Sequence, residues 1–141
     1  MAKMIFVNLP VTDVAKATAF YEAVGFVKNE AFSNAQVSAM NWSDTIHVML
    51  MDHAFFSVIT PKTIVDPRTH TSAVFALSLD DRAQVDAITQ AAIDAGGREA
   101  HEAEDMGYMY SRAFEDLDGH GWGPFHMDMN AAPPASDGDA A

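Results

Sequence analysis

The chain has 141 residues, enough for one ordinary domain that buries about 68–70% of the surface its unfolded form exposes. Twenty acidic residues face eight Lys and Arg, a net charge of −12, and no stretch gathers the basic residues into a patch for phosphate backbones or anionic membranes. Cysteine is absent, which removes disulfides, thiolate metal sites and cysteine nucleophiles.

Nucleic acid and membrane are therefore not expected as partners. No apolar run approaches the 18 residues of a membrane span, and the opening run is too short for a signal peptide, so a soluble cytoplasmic protein is expected. Neither GxGxxG nor a P-loop occurs.

In chain order, residues 4–9 are apolar and rich in β-formers, and Pro10 reads as the end of that strand. Thr12 and Asp13 offer helix caps; Ala17, Phe20, Tyr21 and Val24 then recur at helical spacing until Gly25 supplies a left-handed stop. Strand-like runs follow at 26–31, 36–42 and 45–51, with a tight turn at Ser43-Asp44. This is one βαβββ unit. Residues 53–72 read as a packed linker with room for a helical turn. From Ala73 the pattern repeats: a strand at 74–79, caps at Asp80 and Asp81, and a helical face of Val85, Ile88, Ala92 and Ala95 closed by Gly96-Gly97. Strands at 98–100, 108–115 and 122–127 complete a second unit, and Glu102, Glu104 and Asp105 read as a solvated acidic loop. Asp13 and Asp81 lie 68 residues apart, and Gly25 and Gly96 lie 71 apart, an offset that marks a tandem repeat.

The expectation is an α+β fold of two βαβββ modules. One domain spans 1–129, with module one at 3–52, a linker at 53–72 and module two at 73–129. Residues 130–141, with two prolines and no apolar pattern, are expected to be a disordered tail.

Two motifs extend this reading. Val7-Asn8-Leu9-Pro10-Val11-Thr12-Asp13, followed by Phe20-Tyr21 and Gly25-Phe26, resembles the opening of glyoxalase/bleomycin-resistance/dioxygenase proteins, the vicinal oxygen chelate superfamily. Phe114-Glu115-Asp116-Leu117-Asp118-Gly119-His120 resembles the turn before that family's last strand, with Leu117 where proline is usual. The resemblance implies curved sheets around a cavity, frequent dimerisation and, in metal-using members, four inward His, Glu or Gln ligands that hold Ni, Zn, Fe or Mn. Aligned here, those four positions are Phe6, Met49, Val74 and Gly123, none of them a hard-metal donor.

Strand parity then places Asn8, His47, Met51, Ala76 and Phe125 on the same faces, with Ser111 also turned inward. The candidate substrate-binding set is thus Phe6, Asn8, His47, Met49, Met51, Val74, Ala76, Ser111, Gly123 and Phe125; no metal ligands and no catalytic residue stand out. Tyr110, Arg112 and Phe114 have the opposite parity to Ser111 and suit packing against the helix or a dimer surface. Gly121, Gly123 and Pro124 interrupt the last strand.

The reading favoured is a metal-free cytoplasmic homodimer that binds a partly apolar organic molecule. Two alternatives stand beside it. One is a metal-dependent lyase, isomerase or dioxygenase with a divalent ion near His47. The other is a non-catalytic interaction protein whose hollow is filled.

Overall fold

The computed structural model describes residues 2–128 and Asn130; the rest of the expected tail lies outside the described residues. The first module runs β1 (Ile5–Val11), α1 (Val14–Ala23), β2 (Val27–Lys28), β3 (Val37–Asn41) and β4 (Ile46–Asp52). A connecting helix α2 (His53–Ile59) occupies the linker. The second module runs β5 (Val74–Ser78), α3 (Arg82–Asp94), β6 (Arg98–Asp105), β7 (Met109–Glu115) and β8 (Gly121–Met127). Each forms a four-stranded sheet of the same topology, β1-β4-β3-β2 and β5-β8-β7-β6. In each, the first and last strands pair in parallel and the other pairs are antiparallel. The sequence repeat is a structural repeat.

The repeated caps do the same work in both modules. Asp13 accepts from the Lys16 N–H at 3.0 Å and Asp81 from the Gln84 N–H at 2.8 Å, each satisfying one orphan donor of a first helical turn. At the other ends Gly25 and Gly96 take φ of 116° and 104°, in the left-handed region open to glycine. That bend lets Phe26 N–H reach the Tyr21 carbonyl, and Gly97 N–H the Ala92 carbonyl, both at 2.9 Å.

The helices and both sheets share one core. Leu9 and Val11 of β1, Phe20 and Tyr21 of α1, Val48 and Leu50 of β4, Leu77, Ile88, Phe114 and Trp122 all belong to a single buried cluster. The turn 116–120 fastens the modules together. Asp116 Oδ1 accepts from the N–H groups of Asp118, Gly119 and His120 at 2.8–2.9 Å, while Oδ2 accepts from the Tyr21 hydroxyl at 2.6 Å. Tyr21 in turn accepts from Trp122 Nε1 at 2.9 Å. Asp118 accepts from the Thr12 N–H at 3.0 Å, and His120 Nε2 donates to the Pro10 carbonyl at 2.8 Å. Burial pushes the Asp116 carboxyl up, against the pull of His120 and Tyr21, and burial beside Asp116 pushes the Tyr21 hydroxyl well up.

Four local expectations are corrected. Strand β1 continues through Pro10 to Val11: it is an edge strand, and the proline carbonyl points off the edge to His120, so the missing N–H would have faced away from β4. The run 26–31 yields only the two-residue β2, because Asn29 caps a 3₁₀ turn (Glu30–Phe32) through its bond to Ala31 N–H. The acidic loop is strand: β6 reaches Asp105, with register shifts between Glu99 and His101 and between His101 and Glu104. It is an exposed edge, where charges and bulges discourage pairing with another chain. Finally, β8 is continuous. Its pairing with β7 lapses only where Gly123-Pro124 face Arg112-Ala113, and the register resumes unchanged. One absent proline donor accounts for that gap.

Candidate functional site

Alternation along β1 and β4 sorts side chains between the core and the opposite face of the first sheet. Leu9, Val11, Val48 and Leu50 enter the core. Phe6 and Asn8 lie on the other face with His47, Met49 and Met51, and the register sets Phe6 beside His47 and Asn8 beside Met49. On the far side β3 brings Asn41 beside His47 and Ala39 beside Met49.

Over these residues lies a hollow of about 320 Å³. Its floor is Phe6, His47, Met49, Ala39 and Asn41. Met4 extends the lining, and Asn29 and Phe32 add to it from the 3₁₀ turn. Only the His47 ring on this lining is ionisable. His47 is 8% exposed and stacks flat on Phe6, with ring centroids 4.5 Å apart and planes 14° apart. Each of its ring nitrogens faces an oxygen that only accepts: Nδ1 lies 2.6 Å from Asn41 Oδ1 and Nε2 lies 3.2 Å from the Asp44 carbonyl, and a neutral ring donates to one of them.

The residues do not fit a divalent metal. His47 is a lone imidazole with no carboxylate or second imidazole beside it on the lining, Met49 carries a soft thioether, and Phe6, Val74 and Gly123 carry no donor. Among the described residues no three His, Cys, Asp or Glu side chains come together.

Of the ten candidate residues, Phe6, His47 and Met49 share this hollow. Met51 is buried on the same strand. Asn8 lines a separate cleft of about 210 Å³, where Phe56, Val65 and His70 of the connector meet Phe75 and His120 of the second module. Val74 and Ala76 are exposed on β5, and Ser111, Gly123 and Phe125 are half-buried on the paired strands β7 and β8. Among the described residues the candidates of the two modules therefore do not meet in one hollow: Asn8 alone of them lines the cleft that both modules share. Packing both helices into one shared core leaves the outward face of each sheet separate, and no residue of the second sheet lines the hollow over the first.

Sequence reasoning missed Met4, Asn29, Phe32, Ala39 and Asn41. Ala39 and Asn41 were within reach, since extending strand parity to β3 places them opposite Met49 and His47. Asn29 and Phe32 were not, because the segment reads as strand and only the Asn29 cap makes it a turn. The opposite-parity residues of β7 do meet the helix: Tyr110 donates to Asp86 of α3 at 2.6 Å and Arg112 donates to the same carboxylate at 3.0 Å. Among the described residues no helix is long and apolar enough to cross a membrane.

The fold is shared with known structures. A hypothetical protein from S. aureus superposes with a TM-score of 0.76 at 23% identity, covering 89% of this chain and 94% of its own. A glyoxalase/bleomycin resistance protein/dioxygenase family enzyme from Burkholderia phytofirmans gives 0.72 at 18% identity, with 89% and 99% covered. The bleomycin resistance determinant encoded on the transposon Tn5 gives 0.63 at 22% identity, with 91% and 100% covered. No curated protein sequence matches the chain. The sequence profile of the Glyoxalase/Bleomycin resistance protein/Dioxygenase superfamily matches residues 3–123, from the opening of β1 into β8, and the chain belongs to that superfamily.

Proposed function

We propose that this protein binds a small, partly apolar organic molecule in the hollow over its first sheet, without a metal cofactor. One observation carries the reading: where the resemblance puts metal ligands on the first module, Phe6 and Met49 instead form an apolar floor beside His47, which stacks on Phe6 and lies against Asn41. A concave, mostly apolar lining with a few polar groups is the usual make-up of a small-molecule site.

The working form in this proposal is a cytoplasmic homodimer. Val27, Phe32 and Val74 are 66–70% exposed, apolar side chains of the kind that a second copy would cover. The ligand is not strongly anionic, given the net charge of −12.

A thermal-shift screen over a chemically diverse library tests the binding. A genuine ligand at 100 times its Kd adds about 2.7 kcal/mol of stability, and silence across the library would point to a hollow without a ligand. Elemental analysis of protein purified without chelators tests the metal-free part. Stoichiometric Ni, Zn, Fe or Mn would overturn it in favour of metal-dependent chemistry.

A further inference from the structure

We infer that the occupant of the hollow is a planar, uncharged aromatic molecule whose rim carries hydrogen-bond acceptors, such as a ring ketone or lactone. This rests on the proposal that the hollow is a ligand site, and it names the class of ligand.

Planarity follows from Phe6. One face of its ring lies on His47, yet the side chain remains 54% exposed, so its other face is open to the hollow. Phe32, 70% exposed, offers a second ring on the same lining, and Met4 and Met49 supply polarizable thioethers that suit aromatic edges. The absence of charge follows from the lining. Apart from the His47 ring nothing on the lining ionises, so a bound carboxylate or ammonium would lose hydration with no fixed counter-charge.

The acceptors follow from the two asparagines. Asn29 Oδ1 is committed to the Ala31 N–H at 3.1 Å, which fixes the amide and leaves its NH₂ group to donate. Of the two contacts His47 makes, the one to Asn41 Oδ1 is the shorter, at 2.6 Å against 3.2 Å. The Nδ1 proton therefore lies there, and the Asn41 NH₂ group is the second donor. Two donors on an apolar wall select a ligand that brings acceptors and disfavour one that brings only donors.

Isothermal titration of the full chain with coumarin, naphthalene and 2-naphthoate tests the inference. These are a lactone, a hydrocarbon and an anion of similar planar size. The comparison uses the wild type, Asn29→Ser, which keeps a capping oxygen and loses the NH₂ group, and Asn41→Leu, each checked for folding by circular dichroism. Coumarin should bind, with 2-naphthoate at least about tenfold weaker, and each variant should weaken coumarin about fivefold while leaving naphthalene unchanged. Should Asn41→Leu fail to fold, Asn29→Ser decides alone. A preference for 2-naphthoate, naphthalene binding without coumarin, or equal losses for coumarin and naphthalene would each overturn the acceptor class. Naphthalene binding abolished by Phe6→Ala would still leave the hollow a ligand site. No binding of any probe would overturn the inference together with the reading on which it rests.

Discussion

Replacing Asp116 with alanine removes the group that fastens the turn of module two to the helix of module one. Its two oxygens accept four hydrogen bonds, from three successive backbone N–H groups and the Tyr21 hydroxyl, and the residue is 5% exposed. At a net of about 1 kcal/mol per bond the loss is about 4 kcal/mol, a large share of the 5–15 kcal/mol by which domains are stable. Water can enter the space left by the carboxylate, which holds the figure near that mean rather than at the higher cost of wholly unsatisfied donors. Tyr21→Phe takes one link from the same chain and leaves Trp122 Nε1 without its acceptor, for a loss of about 2 kcal/mol. Urea denaturation followed by tryptophan fluorescence measures both, since Trp122 lies within the network. The two losses should not add, because the residues share a bond. A loss below about 1 kcal/mol for Asp116→Ala would refute the assignment of this turn as the seam between modules.

Three further outcomes are expected. Arg82 donates to both oxygens of Asp105 at 2.6 and 3.0 Å, and with the Gly107 N–H it holds that carboxyl down at about 2. The contribution of this pair is present above the ordinary carboxylate range and fades as pH falls through 2. In Arg82→Met an NMR titration should find Asp105 moved back up towards 3.8. Gly97→Ala would press a methyl against the carbonyls of Glu115 and Ala92 and the ring of Phe20, lowering stability by about 1–3 kcal/mol in thermal denaturation. Leu50→Ala opens a cavity in the centre of β4, where the side chain is wholly buried, and should cost about 2–5 kcal/mol by chemical denaturation.

The parts of the fold legible in the sequence are those where a local rule and the tertiary structure agree. Asp13 and Asp81 cap, Gly25 and Gly96 stop, and the apolar stripes between them enter the core. Where reading failed, a neighbour in space decided. Pro10 is tolerated because β1 is an edge, a property of sheet order that the segment itself does not carry. The strand character of Glu102–Asp105 depends on pairing with β7, which overrides a composition suited to loops. In the site, parity placed Phe6, His47 and Met49 together, since the period of two is local. How the two sheets share a core depends on contacts such as Tyr21 with Asp116, 95 residues apart, and that arrangement keeps the second sheet out of the hollow.

The motifs that identify the superfamily here are committed to structure. In Phe114-Glu115-Asp116-Leu117-Asp118-Gly119-His120, Phe114 is core, Asp116 and Asp118 accept backbone N–H groups, and His120 donates to the Pro10 carbonyl. Gly119 has a φ of 103° and lies against Pro67 and Arg68 of the connector, where a Cβ would collide with backbone. These residues have partners that fold stability requires, whatever chemistry the protein performs. The four ligand positions have no such obligation. Phe6 is exposed, Val74 is exposed, and Gly123 leaves ordinary space beside Arg112, so their side chains can change without cost to the core. Membership is therefore written in the seam, whereas the proposed ligand site lies on an outward face. On the first of these faces the residues form a chain of contacts: Phe6 stacks on His47, His47 lies against Asn41, and Asn41 lines the hollow. That chain of contacts is what the proposed site for an organic ring rests on, and substitutions along it are where the proposal is tested.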